Sequence, residues 1–140
     1  TKIMELTLAG LLVDAGLCVL AWMVQLIVYP GFLEYSADDL NKWHAKYTPR
    51  ITVIVAPLML GQLGLSVYQL INKPFGINVI SFALILVIWL ITFLLFVPLH
   101  QKIINGGSDH KDLIRLVALS WYRTIPWTLI LLINLIIYLD

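Results

Sequence analysis

Four long apolar runs occupy most of this chain, at about residues 7–31, 51–72, 77–98 and 117–139. An α-helix needs about 20 apolar residues to cross the hydrocarbon core of a bilayer, and each run has about that length. Only 12% of the residues are charged and 61% are hydrophobic, whereas soluble domains carry about 25% charged residues. The sequence therefore predicts an integral membrane protein, folded as an all-α, antiparallel four-helix bundle in one domain over residues 1–140.

The same composition excludes several classes of protein. Four spans use up nearly all of the 140 residues, so a soluble catalytic domain has no room. The chain has one cysteine, Cys18, which excludes an intrachain disulfide and a Cys-rich metal site. No basic stripe lies outside the apolar runs, so we expect no nucleic-acid partner. The first run is too long for a signal-peptide core and lacks the charged leader and cleavage pattern, so we expect it to be retained.

The distribution of cations predicts an orientation. We call side A the end of the bundle formed by residues 32–50 and 99–116, and side B the opposite end. Seven of the nine Lys and Arg residues lie on side A, namely Lys42, Lys46, Arg50, Lys102, Lys111, Arg115 and Arg123. Cytoplasmic loops carry the excess of Lys and Arg. We therefore expect a protein of a bacterial inner membrane, surrounded by lipid, with side A in the cytoplasm and both termini outside it.

The connections between runs carry helix-boundary signals. Ser36 and the acidic pair that follows it predict the start of a short helix over 37–48. Its apolar residues recur on one face, which suits a helix lying in the membrane interface between spans 1 and 2. Thr48 and Pro49 are typical of an N-cap and a first-turn proline, so we expect the second span to begin there. Asp109 is the predicted N-cap of the last helix.

Three prolines, Pro57, Pro98 and Pro126, fall within the spans. Each removes a backbone N–H and frees the carbonyl four residues earlier, which needs another partner in lipid. One interpretation is that they only kink the helices. The other is that all three, since they lie in the side-A half, help to open a pocket there.

Each run also carries one line of polar residues. Polar groups inside a membrane normally face the bundle interior. At about 100° per residue, the polar residues of each span fall within a sector of about 80° or less. The lines consist of Asp14, Cys18, Gln25 and Tyr29 on the first span, Gln62, Ser66 and Gln69 on the second, Ser81 and Thr92 on the third, and Ser120, Thr124, Trp127, Asn134 and Tyr138 on the fourth.

Asp14 is the most informative residue of these lines. It lies about 7 Å from the middle of the first span, toward side B, at the depth of Ser66 and close to that of Gln62. No cation is available at that depth, so we expect Asp14 to be protonated or hydrogen-bonded to the neighbouring amides. Two roles stay open for Asp14 and Gln62: a structural link between helices 1 and 2, or a proton relay.

A second group of polar and aromatic residues converges on side A from four segments. Two neutral histidines can ligate haem iron or another metal, or transfer protons. Two arginines can bind the anionic part of a ligand, and the aromatic rings can stack on a flat cofactor or a quinone. The candidate site consists of Tyr29, His44, Tyr47, Arg50, His100, Trp121 and Arg123, with His44 and His100 as the candidate metal ligands. The alternative is that these residues only anchor the rim of the bundle, as in many membrane proteins.

Short motifs resemble those of a known family. Residues 50–59, with Arg50, Ile54, Pro57 and Met59, resemble the Arg-Leu-x-x-Ile-x-x-Pro-x-Met stretch of HemJ-type protoporphyrinogen oxidases. Residues 25–29 are similar to the end of that family's first helix, and residues 123–126 to its entry into the fourth. CopD-like and anthrone-oxygenase-like small membrane proteins share the same plan.

What this resemblance implies is the four-span architecture, with Arg50 and Pro57 as matched positions. The HemJ family carries a haem-linked histidine near the start of helix 1. Around Ala9 and Gly10 this chain has none, and the polar residue of its first helix is Asp14. The haem ligand of that family therefore does not carry over to a residue of this chain.

The leading hypothesis from the sequence is a small oxidoreductase-like or cofactor-binding membrane protein, whose cytoplasmic-side pocket holds haem, another metal or a hydrophobic, quinone-like molecule. One alternative is a non-catalytic accessory subunit of a larger membrane complex, or a homo-oligomer, favoured by the small size and the very apolar third span. Another is a small transporter or channel, for which the polar line at Asp14 is the main support.

Overall fold

The structure is a computed structural model that describes residues 2–140, without the side chain of Ile3. Helix α1 runs over Lys2–Met23 and continues through a π-helical turn, Val24–Val28, into a last α-helical turn, Tyr29–Phe32. Helix α2 spans Ala37–Asn72. Helix α3 covers Ile77–Ile91 and continues through a second π-helical turn, Thr92–Phe96, into Val97–Ile104. Helix α4 spans His110–Leu139. Residues 2–140 contain no β-strand, which confirms the all-α prediction.

The four helices pack in chain order. Helix α1 packs on α2 and α4, and α3 packs on the same two helices. One cluster of buried side chains lies toward side A, around Tyr29, Phe32 and Phe96. A second lies deeper between the helices, around Leu17 and Ile130. Buried apolar side chains therefore pack at the side-A end and in the middle of the bundle, and side chains from all four helices meet at side A.

The outer surface of the bundle is apolar. Leu12 of α1 is 66% exposed, Val53 of α2 is 74%, Leu94 of α3 is 68% and Ile136 of α4 is 61%. Soluble monomers rarely expose apolar surface on all sides. All four helices are long and apolar enough to cross a membrane. These are the properties of an integral membrane protein.

The helix starts agree with the sequence at two positions and differ at a third. The hydroxyl of Ser36 accepts a hydrogen bond from the Asp39 amide, and Asp109 begins α4 with a capping box. The predicted boundary at Thr48 is wrong, because α2 continues unbroken through Pro49. The hydroxyl of Thr48 donates to the carbonyl of His44, so this residue bonds back within a helix instead of capping a new one. The short helix predicted over 37–48 is the first part of α2.

Each π-helical turn is followed by one residue and then by a proline. In α1 the amide of Tyr29 bonds the carbonyl of Val24, and Pro30 follows. In α3 the amide of Val97 bonds the carbonyl of Thr92, and Pro98 follows. A proline ring clashes with the carbonyl four residues earlier, so a wider turn at this point relieves that clash. Since π turns change the direction in which later side chains point, they set the positions of Tyr29 and His100.

Candidate functional site

A chain of hydrogen bonds links all four helices at side A. Arg123 Nη2 of α4 donates to the hydroxyl of Tyr29 of α1, at 3.1 Å. That hydroxyl lies 3.2 Å from Nε2 of His100 on α3. Nδ1 of His100 lies 2.7 Å from Nε2 of His44 on α2, and the two imidazole rings are stacked with centroids 5.0 Å apart. The two histidines predicted to belong to one site are therefore in direct contact.

The donors along this chain can all point the same way. The Tyr29 oxygen accepts from Arg123, which leaves its proton for His100 Nε2. If His100 carries its proton on Nδ1, that group donates to His44 Nε2, and His44 Nδ1–H then faces the hydroxyl of Thr48 at 3.4 Å. Each neutral imidazole needs one donor and one acceptor nitrogen, and this assignment satisfies both rings. The arrangement is thus a continuous hydrogen-bonded chain over four side chains, from Tyr29 to Thr48.

The guanidinium of Arg123 is held over an aromatic ring. Its central carbon lies 3.6 Å from the centroid of the Phe96 ring, a cation–π contact. Its Nε is buried and has no hydrogen-bond partner among the described residues. The indole nitrogen of Trp89 is likewise buried without a partner. Because buried donors normally have acceptors, this region offers two N–H groups to an additional acceptor.

A cavity of about 390 Å³ lies beside this hydrogen-bonded chain. Tyr29, His100 and Arg123 form its polar wall, while its other walls are mostly aliphatic and aromatic. Pockets that hold small organic molecules have volumes of about 300–1,000 Å³ and combine apolar walls with a few polar groups. The cavity therefore has the size and lining of a binding site for an organic ligand.

The cavity opens sideways, between α2 and α3. Its lining includes Thr52 of α2 and Phe93, Val97 and Gln101 of α3, all four of which are exposed at the outer surface of the bundle. The exposed fraction of Phe93 is 58%. The cavity therefore reaches the flank of the bundle, where apolar side chains such as Phe93 and Val97 are exposed.

Five of the seven residues predicted for the side-A site come together. Tyr29, His44, Tyr47, His100 and Arg123 form one connected group, in which Tyr47 lies against His44 with ring centroids 6.0 Å apart. Arg50 and Trp121 are not part of it. Arg50 is exposed, and Trp121 is 39% exposed and contacts Trp22 instead.

Helical phase explains both absences. Arg50 follows His44 by six residues, which is a rotation of about 240° at 100° per residue. Trp121 precedes Arg123 by two residues and so faces about 200° away from it. The two side chains share the depth of the site but point out of the bundle.

The histidine pair does not present a metal site in this arrangement. Two imidazole nitrogens bound to one zinc ion each lie about 2.0–2.1 Å from it, and so about 3.3 Å from one another. His44 Nε2 and His100 Nδ1 are closer, at 2.7 Å. Within residues 2–140 no group of three or more His, Cys, Asp and Glu side chains could hold a metal ion. Ligation by His44 and His100 stays a prediction that would require the rings to separate.

The polar lines meet again nearer side B, around Asp14. Its Oδ1 accepts a hydrogen bond from Gln62 Nε2 at 2.8 Å, and its Oδ2 accepts one from Asn134 Nδ2 at 2.6 Å. Gln62 Oε1 in turn accepts from the indole N–H of Trp127. These hydrogen bonds link α1 to α2 and to α4, and the choice between a structural role and a proton relay for Asp14 and Gln62 stays a prediction. Since Trp127 also lines the side-A cavity, the two polar regions are adjacent.

Sequence reasoning missed two contributors to the site. Phe96 supports Arg123, and Thr48 ends the hydrogen-bonded chain. A position four residues before His100 on the same helix face was a sequence signal for Phe96. Thr48 was assigned to a helix cap because a proline follows it.

No family model, no curated protein and no solved structure matches the chain.

Proposed function

We propose that this protein binds a lipophilic, quinone-class molecule in the side-A cavity and exchanges protons with its head group. The observation that carries this proposal is the chain of Tyr29, His100 and His44 at the polar wall of an apolar cavity. The four helices act as four transmembrane spans in antiparallel order, with side A in the cytoplasm. The HemJ-like plan of the sequence is compatible with this arrangement.

The head group of a quinone suits the donors of the cavity wall. A quinone carries carbonyl oxygens, which accept hydrogen bonds and have no proton to give. Arg123 Nε and Trp89 Nε1 are donors without a partner among the described residues. Aromatic side chains such as Phe93 and Phe96 line the same cavity and can pack against a flat ring.

The lateral opening suits the tail of such a ligand. Quinones of membranes carry long apolar chains and move within the bilayer. The opening between α2 and α3 lies on the exposed apolar surface of the bundle, at Phe93 and Val97. A tail can therefore remain in lipid while the ring enters the cavity.

The histidine pair supplies the proton chemistry. Reducing a quinone by two electrons to a quinol takes up two protons, and the reverse reaction releases them. His100 exposes part of its ring to the cavity, whereas His44 is fully buried behind it. His100 Nε2 already accepts from the Tyr29 hydroxyl, so a proton released by a quinol oxygen enters the chain at Tyr29. As Tyr29 takes up this proton it passes its own proton to His100 Nε2, and His100 Nδ1 passes one to His44 Nε2. The two electrons of this step would be exchanged with a haem- or flavin-carrying redox protein, since the chain of side chains carries protons only.

Quinone binding can be tested by fluorescence titration. Trp89 and Trp127 line the cavity, so a short-chain benzoquinone such as decylubiquinone should quench their emission in a saturable way. Arg123→Gln should weaken binding about tenfold or more, because a hydrogen bond to a charged group contributes about 1.5–3 kcal/mol. Arg50→Gln is the matched control: it removes an arginine of the same side that lies outside the cavity. Equal affinities of the two variants would contradict the proposal.

An absorption spectrum and metal analysis of the purified protein test the competing cofactor. A Soret band or a stoichiometric metal that disappears in both His44→Ala and His100→Ala would replace the quinone with haem or another metal as the ligand. The accessory-subunit alternative is tested by copurification in mild detergent, where a partner at fixed stoichiometry would favour it.

A further inference from the structure

A second polar chamber lies between the helices on the side-B half of the bundle, apart from the cavity described above. It has a volume of about 10 Å³ and is lined by Asp14, Ser66, Ser81, Gln62, Gln69 and Asn134 together with small apolar groups. A space of about 10–15 Å³ holds one water molecule or an ion of similar size. The chamber is thus large enough for a single small guest.

The chamber contains a carboxylate without a counter-charge. Asp14 is only 3% exposed, and none of the residues that line the chamber is Lys, Arg or His. Both carboxylate oxygens accept hydrogen bonds from amide N–H groups, which stabilises the ionised form. A buried carboxyl group is neutralised either by a proton or by a bound cation, because a bare charge is costly to transfer from water into a low-dielectric interior.

A second observation points to a guest. Ser81 of α3 is 3% exposed, and its hydroxyl has no hydrogen-bond partner among the described residues. It lines the same chamber as Asp14 and Ser66, and Ser66 is also buried. An unpaired buried hydroxyl costs free energy, and its oxygen lone pairs are suited to coordinate a hard cation.

A larger cavity adjoins the chamber on side B. It has a volume of about 440 Å³ and shares Gly10, Leu65, Gln69 and Asn134 with the chamber. Lys73 lines this cavity, but it is exposed and its charge is screened by solvent and salt.

We propose that the chamber binds one sodium ion, held by Asp14, Ser66 and Ser81 and reached from side B. All of its polar ligands are oxygens or amides, which favours a hard cation over a soft one. Calcium and magnesium carry two positive charges and are usually held by more than one carboxylate or with several waters, whereas Asp14 is the one carboxylate that lines this chamber. A chamber with one carboxylate and room for one small guest matches a monovalent ion, whose charge Asp14 neutralises.

Thermal unfolding of the detergent-solubilised protein tests this site without reference to a quinone. At equal ionic strength, NaCl should raise the melting temperature above that in choline chloride or KCl, because a ligand that binds only the folded state stabilises it. Asp14→Asn should abolish the sodium response. Ser81→Ala, which keeps the carboxylate, should shift the half-maximal sodium concentration about tenfold upward. The control Asp112→Asn, which removes a carboxylate paired with Lys102 near the surface, should respond as the wild type does.

Three results would overturn the sodium site. One is a melting temperature that does not differ between NaCl and choline chloride, which would mean that the chamber holds water or a proton. Another is an equal effect of KCl, which would exclude selection by size. The third is a sodium response of Ser81→Ala with the same half-maximal sodium concentration as the wild type. This measurement does not depend on whether Asp14→Asn folds.

Discussion

The hydroxyl of Tyr29 lies between a cation and an imidazole, and one oxygen serves both. It accepts from Arg123 and contacts His100 Nε2. Tyr29 is 3% exposed, so water cannot replace either contact. We expect Tyr29→Phe to lower the free energy of unfolding by about 1–3 kcal/mol, since it leaves buried polar groups without a partner. Tyr35→Phe, at a 46% exposed tyrosine, should change it little.

Thermal or denaturant unfolding in detergent measures this difference. A Tyr29→Phe variant as stable as Tyr35→Phe would mean that the Tyr29 hydroxyl bonds are replaceable by other groups. The same variant should also weaken quinone binding, because His100 loses the group that fixes its ring.

Gln62 occupies an equivalent bridging position nearer side B. Its amide donates to Asp14 and its carbonyl accepts from Trp127. We expect Gln62→Leu to destabilise the protein by about 2–4 kcal/mol, because two buried polar groups lose their partners at once. The exposed Gln101 provides the control, as Gln101→Leu. Similar melting temperatures for the two variants would contradict a structural role of the Gln62 amide.

The membership of an individual residue in the site was predictable from the sequence only where its helical phase shows whether the side chain faces the interior of the bundle. The polar lines gave Asp14, Gln25 and Tyr29 a common face, and all three are buried. The same rule, applied to Arg50 and Trp121, would have placed them outside the site. Depth in the membrane was used for those two residues instead, and depth does not distinguish the interior of a bundle from its surface.

At the scale of the helical element, the two π turns position the site. Tyr29 follows the first and His100 follows the second by one turn, and each π turn is followed by one residue and then by a proline. Pro98 predicts that the helix is irregular at this point, but not whether it contains a kink or a π turn, because both relieve the clash of the proline ring with the carbonyl four residues earlier. The chosen form depends on packing against neighbouring helices, which local sequence does not encode.

Replacing Pro98 should separate stability from binding. Pro98→Ala restores an amide N–H that can bond the carbonyl of Leu94 and return the π turn to an α-helical pattern. An interior proline costs a helix about 3 kcal/mol, so we expect equal or higher stability, together with quinone binding weakened several-fold because His100 is rotated. Fluorescence titration and thermal unfolding of the same sample measure both.

The matched control is Pro57→Ala in α2, where the helix carries a proline without a π turn. It should leave the position of His100, and therefore the affinity, nearly unchanged. Unchanged affinity in Pro98→Ala as well would show that the π turn of α3 does not depend on its proline.

At the scale of the whole molecule, the four helices were predictable because bilayer thickness sets their minimum length, and the caps at Ser36 and Asp109 were predictable from capping chemistry, whereas the cap predicted at Thr48 was wrong. The lengths of the helices were not, since α2 extends through Pro49 to Ala37 and α3 extends to Ile104. The cavity between α2 and α3 could not be derived from the sequence, because it depends on how far the helices lie apart. The sequence placed five residues of the site at one end, and the packing order of the helices brought them into contact.

The charge distribution makes a prediction about the orientation of the whole bundle. Side A carries most of the Lys and Arg residues, so it should face the cytoplasm. In a Cys18→Ser background, Lys73→Cys on side B and Asn105→Cys on side A each introduce one thiol at an exposed position. In intact bacterial cells a membrane-impermeant maleimide should label the thiol on side B and not the one on side A, and both should react once the membrane is permeabilised. Labelling of the side-A thiol alone in intact cells would invert the orientation. The quinone site would then exchange protons with the exterior, while the chamber at Asp14 would open to the cytoplasm.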